Sequence, residues 1–143
     1  MPARGLADTG ALLAFLNASD RWHRACAEAL ERLPLPLATT AAVLAELFHL
    51  LAEHPQARRQ AWELLRSGVV TVLPITDDDL PRLDELMDRY HDRPMDFADA
   101  TLVRLAEREG LTDVFTVDHD DFETYRIDGR RHFRIHPARS PRS

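Results

Sequence analysis

The chain contains no lysine, and all 18 of its basic residues are arginine. That excludes every mechanism resting on a catalytic or phosphate-binding lysine. There is one cysteine, Cys26, so no internal disulfide can form; between Ala25 and Ala27 in a helical stretch it reads as a small buried side chain. No apolar run approaches the roughly 18 residues of a membrane span. The N-terminal MPARGLADTGALLAF has one arginine and a run broken by an aspartate, unlike a secretory signal, so a soluble cytoplasmic protein is expected. No repeat, low-complexity tract or Gly/Ser linker divides the 143 residues, and one domain is expected over 1–143. Gly-x-Ser-x-Gly is missing, Cys26 has no activating context and the seven histidines are scattered, which leaves serine and cysteine hydrolases without support.

What is present is acid, unevenly spread. Residues 1–125 carry 12 arginines against 23 acids, whereas residues 126–143 carry six arginines against one acid. An acidic body ordinarily argues against a nucleic-acid partner. Carboxylates gathered to hold divalent cations lose that negative character once the metal binds, so net charge does not settle the partner.

Periodicity alternates between short strands and helices. Arg4–Ala7 reads as a strand leading into a helix through Leu16, and Asp20 as the N-cap of a helix through Leu33. Leu35–Ala38 is a second strand. Thr40–Glu53 places Val43, Leu44, Leu47, Phe48, Leu50 and Leu51 at helical spacing, and Pro55 starts another helix that Gly68 closes. Val69–Leu73 predicts a buried parallel strand, Thr76 opens a helix that ends at Pro94, and a further helix runs from Asp96 to Glu109. A strand at Val114–Val117 follows. Strands separated by helices predict an α/β/α arrangement around a parallel sheet, whose ligands bind at the carboxyl ends of the strands.

Four carboxylates fall at such places. Asp8 follows the first strand, where it either projects at the sheet edge or, with Thr9, caps the next helix. Glu46 sits at the margin of an apolar arc, partly desolvated or snorkelling outward. Asp99 falls inside the stripe of Leu102, Val103 and Ala106 rather than on the polar face of Arg104, Glu107 and Arg108, and an acid there must be paired. Asp96, three residues earlier, reads as that helix's N-cap. Asp118 follows the last strand in Thr116-Val117-Asp118-His119-Asp120-Asp121-Phe122, a turn in which ordinary turn chemistry accounts for one or two acids. Convergence of hard oxygen ligands suggests Mg²⁺ or Mn²⁺ and phosphoryl chemistry.

Leu6-Ala7-Asp8-Thr9-Gly10, Glu46 in a helix after Thr39-Thr40, Pro94-Met95-Asp96-Phe97-Ala98-Asp99-Ala100, and Thr116-Val117-Asp118 with Asp121-Phe122 together resemble VapC-type PIN domains, in order and spacing over nearly the whole chain. The resemblance implies a PIN-like three-layer α/β/α fold with a central parallel sheet of four to five strands. It implies a Mg²⁺-dependent endoribonuclease, the toxin of a type II toxin–antitoxin pair, in which metal-activated water attacks an RNA phosphodiester and leaves a 3′-hydroxyl and a 5′-phosphate. Asp8, Glu46, Asp99 and Asp118 would be catalytic, Asp8 and Asp99 the direct metal ligands, and Thr9, Asp96, Thr116 and Asp121 supporting. A VapB-type antitoxin lying across the active site and a toxin homodimer are implied as partners. Arg126, Arg130, Arg131 and Arg134 are candidates for RNA or antitoxin contacts, or else belong to an edge strand blunted by charge.

Two other aspartate-pocket folds lose ground on residues. A receiver domain requires a lysine on its last strand, and haloacid-dehalogenase-like phosphatases require both a lysine and Asp-x-Asp, where Gly10 stands in the second acidic position. A PIN domain that binds RNA or protein without cutting, and a DNA-directed nuclease of the same fold, remain as alternatives.

Overall fold

In the computed structural model, which describes residues 2–139, strands β1 (Gly5–Ala7), β2 (Leu37–Thr39), β3 (Val70–Val72), β4 (Asp113–Phe115) and β5 (Arg134–His136) form one sheet. The order is β3-β2-β1-β4-β5 and every pairing is parallel. Parallel neighbours require crossovers, and seven α-helices supply them: α1 (Thr9–Leu16), α2 (His23–Arg32), α3 (Ala41–Leu50), α4 (Pro55–Arg66), α5 (Leu80–Arg89), α6 (Phe97–Glu109) and α7 (His119–Thr124). This is the expected α/β/α architecture, with five strands.

Strands β1 and β2 are fully buried, and Leu6, Leu12, Leu37, Leu47, Leu102 and Phe115 form the middle of the core. Helix ends follow local chemistry. Thr40 caps α3 through its hydroxyl and meets the Thr101 hydroxyl of α6 at 2.9 Å, tying the two helices together. Gly110, at φ 69°, ends α6 in the left-handed conformation that glycine adopts without strain. Cys26 is buried, and that burial pushes its thiol up to about 12, as expected of an inert side chain.

Several local expectations need correction. Asp20 does not cap α2; its carboxylate accepts the Trp22 N–H at 2.8 Å in a turn, and the helix begins at His23. The run Val69–Leu73 forms an edge strand rather than a buried one, and Val72 is exposed, because β-branched propensity reports strand and not position in the sheet. The acidic turn after β4 contains helix α7. The basic segment continues into β5 beside β4, so Arg134 lies on an edge strand; residues 140–143 lie outside the described ones.

A buried charge network fixes α5 against α6. Arg82 grips Glu107 with two parallel bonds of 2.9 and 2.8 Å. Asp79, 1% exposed, accepts from Arg104 at 2.8 Å, Arg108 at 2.7 Å and the Thr76 N–H at 2.9 Å. These bonds tie the C-terminal half of α6 to α5 and to the turn before it.

Candidate metal centre

Because β1 continues toward β2 while β4 continues toward β5, the connections diverge at the carboxyl ends of two adjacent central strands. Such a switch point leaves a crevice. Asp8 is the first residue past β1, and Thr116 and Asp118 follow β4. Helix α6 brings Asp99 and Asp96, α7 brings Asp121, and α3 brings Glu46. The six carboxylates line one cleft of about 420 Å³. Gly10 borders it, and a Cβ there would come within 2.9 Å of Val117 Cγ2, so the first turn of α1 can pack this closely only as glycine.

Asp8 occupies the N-cap position of α1 but makes no capping bond with its side chain; it accepts the Thr116 hydroxyl at 2.8 Å instead. That hydroxyl also accepts the Asp118 N–H at 3.0 Å, so one threonine ties the ends of β1 and β4 together. Asp96 is the N-cap of α6, accepting the Asp99 N–H at 2.8 Å. The Asp99 carboxylate is therefore not used in capping. It is 8% exposed, faces the cleft and accepts the Tyr125 hydroxyl at 2.8 Å. Glu46 is exposed at the cleft, the outward of the two dispositions its place on α3 left open. Thr9 directs its hydroxyl toward the Val43 carbonyl at 3.5 Å, joining α1 to α3.

Crowding raises proton affinity. Burial, reinforced by the charge of Asp8, lifts Asp99 from 3.8 to about 8 against the opposing Tyr125 bond. Burial lifts Asp8 to about 6, with Glu46 and Asp96 adding to it and Thr116 opposing. Asp118 rises to about 7 through desolvation, then through the adjacent Asp121 carboxylate. Carboxylates so disposed favour a cation in place of their protons. One oxygen from each of Asp99, Asp118 and Asp121 lies within 4.8 Å of the other two. An all-oxygen donor set of this kind suits Mg²⁺, and these three carboxylates are the ones that would hold it. Asp8, expected as a direct ligand with Asp99, lines the same cleft but is not in this tight group; Asp121, expected to support, is.

A family model described as PIN domain matches residues 6–128. The chain belongs to the PIN-domain family. Ribonuclease VapC26 of Mycobacterium tuberculosis is 27% identical over 140 residues, covering 91% of this chain and 98% of that protein. The crystal structure of Mycobacterium tuberculosis VapC20, described as a sarcin-ricin loop cleaving toxin, superposes with a TM-score of 0.71 at 28% identity, over 80% of this chain and 90% of that one. A toxin–antitoxin complex from Klebsiella pneumoniae gives 0.65 at 24% identity over 84% and 91%, a likeness of fold.

Within this PIN domain, the basic candidates have separate local roles. One nitrogen of Arg126 donates to the carbonyls of Glu123, Thr124 and Tyr125 at 2.7, 3.0 and 3.1 Å, capping the end of α7. Arg131 pairs with Asp128 at 2.8 Å and Arg134 with Asp113 at 3.3 Å, while Arg130 is exposed. His119, next to Asp118, is buried against Trp22 and donates to the Pro137 carbonyl at 2.9 Å, away from the acids. Sequence reasoning missed Tyr125 altogether. Its ring packs edge-on against Tyr90 and Phe122, at 5.1 and 5.2 Å, so its hydroxyl meets Asp99 from a fixed direction. The run Phe122-x-x-Tyr125 at helical spacing after Asp118 is the signal that could have found it.

Proposed function

We propose that this PIN domain is a Mg²⁺-dependent endoribonuclease, with Mn²⁺ able to substitute, and the toxin of a type II toxin–antitoxin pair. The observation that carries this reading is the meeting of Asp8, Asp99, Asp118 and Asp121 at the switch point, with burial and mutual repulsion raising the proton affinity of the first three. The names of the two mycobacterial relatives support RNA as the substrate class. An antitoxin of VapB type that would cover the cleft is the partner this reading implies. A homodimer belongs to the same reading.

A divalent ion held by Asp99 with Asp118, Asp121 and Asp8 would supply Lewis-acid activation of water and of the phosphoryl group. The protein's own contribution is placement. Tyr125 fixes the Asp99 carboxylate and Thr116 fixes Asp8 against the Asp118 backbone, and Glu46, exposed at the same cleft, would take a proton from the attacking water. The chemistry is hydrolysis. Water oxygen bonds to phosphorus, the P–O3′ bond breaks, and its electron pair stays on the 3′-oxygen, which takes up a proton.

Labelled RNA and DNA incubated with Mg²⁺ or with chelator provide the test. Cleavage of RNA alone, abolished by chelator, is the expected outcome. RNA binding without cleavage would replace the enzyme with a binding module, and preferential cleavage of DNA would change the substrate. Metal should also raise Tm, because the ion binds the folded protein and relieves repulsion among the acids. The rise should be small at pH 5.5 and grow toward pH 8.5, since the ion competes with protons on groups titrating at about 6, 7 and 8. A shift independent of pH, measured by scanning fluorimetry, would place the metal elsewhere.

A further inference from the structure

Among the described residues, the cleft's six carboxylates make a single ion pair, Arg93 Nη1 to Asp121 Oδ1 at 3.1 Å. Arg93 stands in the turn between α5 and α6, next to Pro94, which lines the cleft. Its side chain is 43% exposed. The turn is anchored to the site, since the Arg93 N–H donates to the Tyr90 carbonyl at 3.1 Å and the Tyr90 ring packs on Tyr125.

We propose that Arg93 serves two states in turn, neutralising Asp121 in the metal-free protein and binding the RNA phosphate at the cleft rim once a divalent ion is loaded. The proposal rests on the ribonuclease reading above. A phosphodiester approaching this acidic cleft is favoured by a cation at its edge, and with no lysine in the chain arginine is the side chain that carries a permanent positive charge. Asp121 is one of the three carboxylates whose oxygens gather within 4.8 Å, so an ion placed among them takes up the charge that holds Arg93. The half-exposed guanidinium can then turn a few ångströms toward solvent, where its planar fork matches two non-bridging phosphate oxygens. Negative charge on those oxygens grows as water adds to phosphorus and the P–O3′ bond breaks, so the contact strengthens during the reaction.

The two roles predict effects of opposite sign. In Arg93→Gln, Mn²⁺ affinity measured by calorimetry without RNA should rise several-fold, because a competing cation is gone. KM for a single-stranded RNA should rise about tenfold, as expected for one charge-assisted bond, and the salt dependence of RNA binding should lose about one phosphate contact. Arg93→Lys should restore the metal competition and the salt slope but recover KM only partly. A merely structural residue would not tighten metal while weakening RNA. Unchanged Mn²⁺ affinity or unchanged KM in Arg93→Gln, with wild-type protein cleaving RNA, overturns the proposal. Wild-type protein that fails to cleave RNA with metal present would instead defeat the ribonuclease reading, and the phosphate role with it.

Discussion

Asp99→Asn is expected to abolish metal-dependent RNA cleavage while leaving the metal-free protein as stable as wild type, or more so. Losing a group that merely orients a metal ligand costs about 10–100-fold in activity, and loss of a ligand should exceed that. The stability sign follows from the proton affinity. Burial and the neighbouring Asp8 raise the folded carboxyl to about 8 from 3.8. Its contribution to stability is therefore present below pH 3.8 and is lost as pH rises through 8. Asparagine cannot ionise, has nearly the same volume and still offers an oxygen to the Tyr125 hydroxyl. The variant should thus gain on wild type as pH rises, most clearly above pH 8, in the presence of chelator. A carboxylate serving only the α6 N-terminus would behave oppositely, costing up to about 1 kcal/mol and sparing cleavage. A folded Asp99→Asn protein cleaving at near wild-type rate would remove this residue from the metal site.

Asp99 was legible in sequence because helical periodicity is a strong signal: at 100° per residue it must fall among Leu102, Val103 and Ala106, and the structure buries it there. Thr116 and Asp118 were legible because a short apolar strand in a parallel sheet delivers its next residues to the functional edge. What failed was whatever depends on partners distant in sequence. The wheel of α3 places Glu46 beside apolar residues but does not show that the cleft in front of it is open. Propensity marks Val69–Leu73 as a strand, yet which neighbour it lacks is decided by topology. Arginine counts flag residues 126–143 as a charged tail, while Arg126 is tied to α7 carbonyls and Arg134 to Asp113. Tyr125 and Arg93 lie 26 and 28 residues from the acids they touch, so even where spacing marks Tyr125 as inward-facing, no local pattern says which acid it meets.

Asp79→Ala is expected to be the most destabilising of the single substitutions considered, with no effect on the chemistry. Asp79 is 1% exposed and receives three strong bonds, from Arg104, Arg108 and the Thr76 N–H. Removing one partner of a buried ion pair costs about 3–5 kcal/mol, since the remaining charge stays behind unpaired. Both guanidinium groups are roughly a quarter exposed and regain some water, which favours the lower end. A loss of about 3 kcal/mol corresponds to a fall in Tm of roughly 6–12 °C for a domain of this size. The pH dependence provides an internal check. Burial alone would raise the Asp79 carboxyl, but Thr76 and the two arginines outweigh it and hold it at about 2. Its stabilisation is complete above pH 3.8 and disappears as pH falls toward 2, opposite in slope to the cleft acids. Wild type and Asp79→Ala should therefore differ widely in Tm at pH 6 and converge near pH 2. Below its midpoint, the variant should cleave RNA at the wild-type rate, because α6 keeps its core contacts through Leu102, Val103 and Leu105. Equal Tm values at pH 6 would mean that the arginines of α6 find other partners and that the network contributes little. A cleavage defect in protein still fully folded would mean that the far end of α6 sets the position of Asp99, coupling the charge network to the metal site.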